Sequence, residues 1–594
     1  MCSLGRLIAF GLLAQVAVRA NANPTPNNSS HSTCRAIPGL PDWPSDSSWA
    51  SLNSSLSGRL FKPIPPGAVC HPDQPTFNAT LCPMVQAEWL TAVFHTDDPV
   101  SAVQQNWNND TCLPQANVTC SGEGYPIYVI NATCAEHIKI GVDYARRHNI
   151  RLIVKATGHD HNGRSSAPNS LSIWTHHMNG LSFHEGFAPK GCNFSIDTHA
   201  VTAAAGSQFG EMDLQASLRN LTIVAGNSET VGPGGYLTGG GHGALSATYG
   251  MGADQVLEME IVTPRGEILT INECQNQDLF WAIRGGGGST FGVITSATIK
   301  AFPATPFAAV TFLVGTNTTS DAYWSVIAYI LSQYPSLSGQ GIAGIPFILP
   351  SFTNVELNIT TPVAAYAGYF FMPLLSPSNS SATLAAAITD VFNNATAPFP
   401  GQFKVIVLPK TYPDFYAWFK DTNGPLDGGS DALVGSWLLD EKALTGDLNS
   451  LKEAIKAFTP PDSYSGPYLV SGRNVWDSVP RGGSNSINPA WRKAYLHFTN
   501  SVSWEPLDPA GKAKQEDFLT NTYTKALRDL APDMGAYVNE ADPNTPNWPH
   551  AFWGDNYSRL LDIKRKVDPH DVFWCTPCVG NERWEEVGNM LCQV

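Results

Sequence analysis

The chain has 594 residues, of which 43% are hydrophobic and only 14% are charged, and its formal net charge is −15. This length and hydrophobic content supply a large core and exceed one ordinary domain. The acidic balance excludes an extended nucleic-acid footprint, which needs a basic face, so we expect no nucleic-acid partner.

Residues 1–22 have the layout of a secretory signal peptide. Arg6 gives the positive charge, the apolar run at 7–18 is short, and small residues at 20–22 form a cleavage pattern. The run is too short to span a bilayer, and no other segment would span one, so we expect an exported protein without membrane association. Sequons, which favour a secreted glycoprotein, begin at Asn53, Asn78, Asn109, Asn117, Asn131, Asn193, Asn220, Asn317, Asn358, Asn379, Asn394 and Asn556.

The twelve cysteines fit an oxidising compartment, where most would form disulfides. They crowd the first part of the chain, so residues 23–121 are predicted to be a disulfide-rich extension wrapped on the body. Loss of Cys2 with the signal leaves an odd number, so one thiol is free or pairs unexpectedly. Cys575 and Cys578 have the spacing of a redox pair, but outside the cytosol a structural staple is the better interpretation.

Hydrophobic periodicity predicts an alternating series of strands and helices after about residue 122. In chain order these are a strand at 128–130, a helix at 134–148, strands at 151–154 and 171–174, a helix at 209–220, a helical turn at 244–249, a strand at 256–262, a helix at 278–284 and a strand at 292–302. Beyond 303 the predicted elements are strands at 308–314 and 364–371 and helices at 321–334, 381–392 and 556–567.

The stretch that organises the chain is Lys155–Ser166, which reads KATGHDHNGRSS. It follows the predicted strand at 151–154. Gly158, Asn162 and Gly163 predict a sharp turn, because glycine and asparagine tolerate a positive φ. Such a turn can point several backbone N–H groups into one concavity, as phosphate-binding loops do.

Three interpretations of this turn are open. It is an ordinary surface turn with incidental histidines, a metal site formed by His159, Asp160 and His161, or a cofactor loop whose histidine carries the cofactor. The metal interpretation is disfavoured, because ligands at three successive positions of an extended chain point in different directions. We therefore predict no metal.

Two further glycine clusters lie at Thr230–Gly243 and Gly285–Gly288. The last cluster has a predicted helix before it and a predicted strand after it, whereas a dinucleotide-binding fingerprint needs the opposite order. The sequence also lacks GxSxG, HExxH and Walker A strings, which are signatures of common hydrolases and NTPases. Three glycine clusters within one α+β segment instead indicate that backbone lies flat against a long, planar ligand.

Four strings resemble the vanillyl-alcohol oxidase type of FAD flavoproteins and, within it, the secreted berberine-bridge-like oxidases. They are Lys155–Ser166, Thr230–Val256, Arg284–Thr295, and Ala536–Asp542 together with Trp553–Phe573. The resemblance covers most of the chain after about residue 122. It implies an α+β fold with a two-subdomain PCMH-type FAD-binding domain at 122–303, a substrate domain with an antiparallel sheet at 304–530, and a C-terminal segment at 531–594 that returns to the FAD domain.

The resemblance implies FAD with a single covalent link, because His159 matches the histidine that bonds to the flavin 8α carbon. Many relatives have a second link through a cysteine, but Ser228 and its neighbours hold that place here. Tyr236 replaces a histidine beside flavin N1, and Val231 matches a position that controls oxygen access, where valine favours O2 as the acceptor. The implied cofactor-binding residues are Thr157, Gly158, His159, Asp160, Gly163, Arg164, Val231, Gly232, Gly235, Tyr236, Gly240, Gly241, Gly243, Asp254, Val256 and Asn539.

Candidates for the catalytic base lie in the substrate domain. His497 belongs to the string Asn488–Trp504, where berberine-bridge relatives place a base on a strand, and it titrates near neutrality. An equally supported interpretation is that His497 is a structural histidine whose hydrogen bonds are satisfied on a sheet face. Tyr412, Tyr416 and Tyr468 are alternatives because activated tyrosines serve this family, although each is also typical of a packed aromatic residue.

These features predict a secreted FAD-dependent oxidase that removes a hydride from an alcohol or a secondary-metabolite C–H and passes electrons to O2, giving hydrogen peroxide. The expected partners are therefore a small-molecule substrate and O2. Carbohydrate oxidation and oxidative ring closure or desaturation of a natural product are alternatives with the same cofactor. From a different class, a flavin-free extracellular glycoprotein with a binding role also stays open.

Overall fold

The computed structural model describes residues 34–115, 117–317, 320–354, 359–376, 378–424 and 426–594. The signal segment predicted at 1–22 and the sequon at Asn358 lie outside these ranges. The helices are α1 (Asp46–Ser55), α2 (Cys82–Glu88), α3 (Ala92–Asp97), α4 (Ala135–Arg147), α5 (Phe209–Ser217), α6 (Pro233–Gly239), α7 (Ser246–Tyr249), α8 (Gln277–Ile283), α9 (Asp321–Ser332), α10 (Tyr334–Gly339), α11 (Ser381–Thr396), α12 (Phe415–Thr422), α13 (Glu441–Thr445), α14 (Leu448–Phe458), α15 (Arg473–Trp476), α16 (Pro509–Phe518), α17 (Thr524–Leu530), α18 (Trp548–Trp553) and α19 (Asn556–Val567).

The strands form three main sheets and two short pairs. They are β1 (Leu60–Phe61), β2 (Tyr128–Asn131), β3 (Arg151–Lys155), β4 (Ser170–Trp174), β5 (Leu181–His184), β6 (Ala200–Ala204), β7 (Leu221–Thr222), β8 (Val256–Val262), β9 (Ile268–Asn272), β10 (Val293–Lys300), β11 (Phe302–Pro303), β12 (Phe307–Thr316), β13 (Ala343–Asn354), β14 (Ile359–Pro373), β15 (Lys404–Tyr412), β16 (Asp431–Asp440), β17 (Ser465–Leu469), β18 (Ala494–Trp504), β19 (Trp584–Val587) and β20 (Met590–Gln593).

The two smaller main sheets form the first α+β part of the molecule. One has the order β1-β2-β4-β3, and its strands β2, β4 and β3 are parallel. Helix α4 covers it because Ile138 and Val142, one turn apart, bury their side chains in the same core as Ile173 of β4. The other is an antiparallel sheet with the order β5-β6-β10-β8-β9.

The largest sheet has seven antiparallel strands in the order β15-β12-β14-β13-β17-β18-β16. Along each strand, alternate side chains point to opposite faces of this sheet, and one face is covered by α9, α11 and α14. This arrangement confirms the predicted α+β class and the predicted antiparallel sheet.

Most predicted elements are present, and α19 begins and ends at the predicted residues. One difference is α6, since no helix is predicted within the second glycine cluster. Pro233 occupies the first turn of α6, where its fixed φ and missing N–H suit a helix start. The glycines that follow it therefore lie in a short helix.

Disulfides tie the N-terminal part together, as predicted. Cys70 pairs with Cys82 and Cys112 pairs with Cys120, while Cys192–Cys274 staples the second sheet and Cys575–Cys578 is a local staple near the C-terminus. The bond Cys34–Cys592 joins the two ends of the described chain. No cysteine among the described residues has a free thiol. In the same part of the chain, no helix is both long and apolar enough to cross a bilayer.

Candidate active site

A cavity of about 590 Å³ lies between the glycine-rich turns and the seven-stranded sheet. This volume is typical of small-molecule sites. All three glycine clusters contribute to its wall, so turns that are far apart in the sequence meet at one place. The lining residues that they supply include Thr157, Gly158, His159, Asp160, Arg164, Val231, Gly232, Gly235, Tyr236, Gly288, Ser289 and Gly292.

The first turn begins where β3 ends, and two glycines shape it. Gly158 has φ +84°, and a Cβ there would stand 3.0 Å from the carbonyl oxygen of Ser101. Gly163 has φ +72°, but a Cβ there would stand 2.4 Å from the Trp107 ring, and Gly163 does not line the cavity. Gly163 therefore shapes the turn by close packing against Trp107, and its predicted contact with the cofactor stays a prediction.

His159 lines the cavity, and its Nε2 lies 2.6 Å from Oγ1 of Thr230 in the second turn. Burial, assisted by the neighbouring His161 and the buried Lys155, lowers the pKa of His159 to about 3. The imidazole is therefore neutral at ordinary pH and keeps a lone pair that can bond to an electrophile.

Arg164 connects the first turn to the second through the C-terminal segment. Its Nε donates to Oδ1 of Asp160 at 2.9 Å, and its Nη2 donates to Oδ1 of Asn539 at 2.9 Å. The Nδ2 of Asn539 then donates to the carbonyl oxygen of Gly235 at 3.1 Å. Because Asp160 is paired with Arg164, its carboxylate is already engaged, although a metal site at 159–161 would need it as a ligand.

Five of the predicted contacts in the second string do not line the cavity. The reason is close packing at Gly241 and Gly243, where an added Cβ would stand 2.5 Å from the Tyr236 ring and 1.9 Å from the carbonyl oxygen of Ala225. Gly240 packs similarly, with an added Cβ 3.0 Å from Ile487. These glycines let the turn fold tightly behind the wall.

The remaining two residues of these five, Asp254 and Val256, also lie behind the wall. The carboxylate of Asp254 is buried, accepts from Arg492 at 2.7 Å and accepts from Asn485 at 2.7 Å. Val256 begins β8 in the hydrophobic core. Asp254 therefore holds the turn against the substrate half, Val256 packs in the core, and neither lines this cavity.

The wall has the properties that a flat, anionic dinucleotide needs. The hydroxyl of Tyr236 and Nη1 of Arg164 are buried and have no hydrogen-bond partner among the described residues. Burial raises the pKa of Tyr236, so this hydroxyl keeps its proton and can donate. Gly234 and Gly235 have nothing within 4 Å of an added Cβ, which leaves bare backbone facing the cavity. Unpaired donors beside bare backbone fit the FAD that the sequence predicts.

The seven-stranded sheet and α12 form the opposite wall. Its largest lining side chains are the aromatic Phe347, Tyr369, Trp418, Tyr464 and Tyr468. Among the described residues of 304–530, no charged side chain lines the cavity. This wall therefore suits an uncharged substrate with apolar or aromatic surface.

The structure separates the candidate bases. Tyr468 lines the cavity, and burial raises its pKa, so its phenol keeps the proton. His497 on β18 is fully buried behind the lining, and burial lowers its pKa to about 3. The hydroxyl of Tyr412 on the edge strand β15 donates to Asp421 at 2.6 Å outside the cavity. Tyr412 is thus removed as a candidate, because this bond holds it away from the site; Tyr416 does not line the cavity either.

A carboxylate and an imidazole that line the cavity, Glu540 and His242, are absent from the sequence-based set. Glu540 follows Asn539 directly, and His242 lies between Gly241 and Gly243. Both stand in the strings that carried the resemblance, so residue type was the available signal. The sequence gives no signal that these two residues, 298 positions apart, lie side by side.

Comparisons with known proteins agree with this geometry. Residues 126–272 match the family described as FAD binding domain, and residues 536–579 match the family described as berberine and berberine like. The FAD-linked oxidoreductase patO of Aspergillus clavatus is 33% identical, with 95% of each chain covered. A VAO-type flavoprotein oxidase of Thermothelomyces thermophilus is 30% identical, with 99% of each chain covered.

Solved structures extend the comparison to the fold. The crystal structure of a VAO-type flavoprotein from Myceliophthora thermophila has a TM-score of 0.86 and 30% identity, covering 95% of this chain and 100% of that one. Berberine bridge enzyme from Eschscholzia californica, at 17% identity and a TM-score of 0.62, covers 89% of this chain and 98% of its own, and shares the fold. The chain is therefore an FAD-linked oxidoreductase that belongs to the vanillyl-alcohol oxidase and berberine-bridge-like family.

Proposed function

We propose that this protein is a secreted oxidase that oxidises a neutral alcohol or related secondary metabolite and passes the electrons to O2, giving hydrogen peroxide. In this proposal residues 122–303 hold FAD, 304–530 form the substrate wall and 531–594 connect the two. The observation that carries the proposal is the convergence of His159 and three glycine turns on one cavity that faces an uncharged aromatic wall. FAD, when bound, supplies the hydride acceptor, while the protein orients the substrate and excludes water.

A single covalent bond between FAD and His159 is part of this proposal. The neutral imidazole of His159 faces the cavity and is positioned by Thr230, which suits a nucleophile. The position where relatives carry a second linking group holds Ser228, a hydroxyl that lines the same cavity and is a weak nucleophile. Secretion adds a physical reason, since a cofactor with no dissociation rate is not lost by dilution.

Two observations support O2 as the electron acceptor. Val231, at the position where the resemblance places oxygen control, lines the cavity. The relative from Thermothelomyces thermophilus is named an oxidase. Reoxidation of the reduced protein by air, followed at the visible absorbance of the flavin, tests this step separately from substrate oxidation.

The proposed activity is tested by adding a panel of aromatic, aliphatic and sugar alcohols to the purified full-length protein and measuring hydrogen peroxide. We expect yellow protein that releases peroxide with neutral aromatic alcohols and not with carboxylated analogues, because the substrate wall carries no cation to pair with a carboxylate. Protein that is colourless after expression with ample riboflavin would favour a flavin-free binding glycoprotein instead. Flavin that substrates reduce but air does not reoxidise would exclude O2.

Glycosylation gives an independent prediction for a secreted protein. The side chains at Asn109, Asn193 and Asn220 are exposed, whereas Nδ2 of Asn556 donates to the carbonyl oxygen of Ile487 at 2.9 Å. We expect the Asn220→Gln variant, made in a secreting eukaryotic host, to lose the mass of one glycan. The matched Asn556→Gln variant should keep the wild-type glycan mass. Intact mass spectrometry before and after glycosidase treatment measures both, and equal masses for wild type and Asn220→Gln would contradict the prediction.

A further inference from the structure

One carboxylate and two imidazoles meet at the end of the cavity that faces β18. We call this group, Glu540, His242 and His497, the carboxylate–imidazole cluster. Nε2 of His242 lies 3.2 Å from Oε2 of Glu540, and Nδ1 of His497 lies 3.7 Å from the same oxygen. The two imidazole rings contact each other edge to face, with centroids 4.7 Å apart.

The three side chains differ in their access to the cavity. The side chain of Glu540 is 29% exposed, that of His242 is 7% exposed and that of His497 is 0% exposed. Glu540 and His242 line the cavity, and His497 lies behind them on β18. A substrate can therefore reach the carboxylate directly, while His497 supports the cluster from the buried side.

The donor and the acceptor of the hydrogen bond between His242 and Glu540 can be assigned. A carboxylate only accepts, so Nε2 of His242 carries the hydrogen and donates it. Its Nδ1 is buried without a partner among the described residues. His242 therefore holds the Glu540 carboxylate in place through Nε2.

Charge distinguishes Glu540 from the other cavity carboxylate. Asp160 is neutralised by Arg164, whereas Glu540 has no Lys or Arg partner among the described residues. Burial alone would raise the pKa of Glu540, but the His242 imidazole, with His497, outweighs burial and lowers it to about 2. The other titratable side chains whose charges interact with Glu540 are His161, Tyr236, Tyr468 and Tyr537.

We propose that Glu540 is the proton acceptor of the oxidation and that His242 is its positioning residue. This deepens the proposed function and rests on it. The O–H bond of the substrate alcohol breaks and its proton forms a bond to a carboxylate oxygen of Glu540. The electron pair of the O–H bond becomes the second bond of the C=O group, and the hydrogen on the carbinol carbon would leave as a hydride. FAD, when bound, would supply the acceptor for these two electrons, so the oxidation of the alcohol is balanced.

The donor atoms of the cluster also resemble a site for a divalent metal ion, with two imidazoles and one carboxylate. Ligating imidazoles normally donate their second N–H to a carboxylate or carbonyl group. Both ring nitrogens of His497, and Nδ1 of His242, lack a hydrogen-bond partner among the described residues. The missing outer partners favour proton transfer over metal binding.

The direct test is the Glu540→Gln variant, which keeps the shape of the side chain and removes its charge. With an alcohol that reduces the wild-type flavin, anaerobic stopped-flow absorbance should show flavin reduction slowed by about 10²- to 10⁴-fold. The visible spectrum and the bound flavin should be unchanged, which separates this effect from misfolding. The matched control Glu453→Gln removes an exposed carboxylate on α14 and should reduce at the wild-type rate.

The His242→Ala variant tests the positioning role through pH. Without the imidazole, burial raises the pKa of Glu540, and the reduction rate should then fall on the acidic side at a pH about two units higher than in wild type. If the reduction rate falls at the same acidic pH in His242→Ala as in wild type, His242 is not the positioning residue. A Tyr468→Phe variant that loses reduction while Glu540→Gln keeps it would make the phenol the acceptor and overturn the proposal.

A binding measurement decides the point without turnover. Titration of the yellow protein with benzoate, followed by the flavin absorbance, should give a Kd at least about tenfold lower in Glu540→Gln, because a carboxylate no longer repels the anion. Equal Kd values would overturn the proposal, as would a stoichiometric metal ion in wild type that Glu540→Gln lacks. Wild type without flavin would refute the proposed function itself, whereas active wild type with an equally active Glu540→Gln would refute the acceptor alone.

Discussion

Replacing His159 with alanine is expected to abolish covalent retention of the flavin. Acid-precipitated wild-type protein should stay yellow, while precipitated His159→Ala should be colourless and leave its flavin in the supernatant. The physical reason is that the proposed nucleophile, the neutral imidazole of His159, faces the cavity from the first turn. Absorbance of pellet and supernatant after precipitation measures the two fractions.

The matched control is His161→Ala, which removes the neighbouring imidazole from the same cavity wall. His161 bonds to Gln104 through its Nδ1 at 2.8 Å, away from Thr230, so the flavin should stay on this variant after precipitation. Colour that stays with precipitated His159→Ala protein would show that another side chain carries the bond. Colour lost from both variants would indicate a general failure to assemble the turn.

The Asp568→Ala variant should lower the free energy of unfolding by about 3–5 kcal/mol, because it leaves a buried ammonium without its carboxylate. Lys564 and Asp568 have side chains 3% and 1% exposed, and their Nζ and Oδ2 lie 2.7 Å apart. Lys564 also donates to the carbonyl oxygens of Thr290 and Phe573 at 2.9 and 2.6 Å. The pair therefore fixes α19 to the loop that follows the third glycine cluster, and the shift in the denaturation midpoint measures its loss.

A surface ion pair supplies the control for this prediction. Lys525 and Asp529 lie one turn apart on α17 with side chains 53% and 63% exposed, so Asp529→Ala should change stability by less than about 1 kcal/mol. The double variant Lys564→Met with Asp568→Ala should recover part of the loss, since no unpaired charge remains. An Asp568→Ala midpoint equal to that of Asp529→Ala would show that the buried pair is not holding the segment.

The fold was largely predictable because its signals are local. A five-residue apolar run before Lys155 predicts β3, and the amphipathic pattern that ends at Asp568-Pro569 predicts α19 at its observed bounds. The start of α6 was missed because the glycine content of Thr230–Gly243 outweighed Pro233 as a helix-start signal.

The site was predictable only in part, because a shared string does not say which of its residues touch a ligand. His159, Tyr236 and Asn539 reach the cavity, whereas Gly241 and Asp254 in the same kind of string lie behind its wall. Burial and packing decide which residues of a string line the cavity, and neither can be derived from residue spacing in the sequence. The approach of His242 to Glu540 was likewise invisible, because it depends on how the C-terminal segment crosses the second turn.

The most direct test of the whole account is the mass of one peptide. Trypsin cleaves after Lys155 and Arg164, so the denatured, digested protein yields the peptide at 156–164, which contains His159 and His161. We expect this peptide to carry the added mass of FAD, with fragmentation placing the flavin on His159. An unmodified peptide from freshly purified yellow protein, or a flavin fragment on any other residue, would contradict the account.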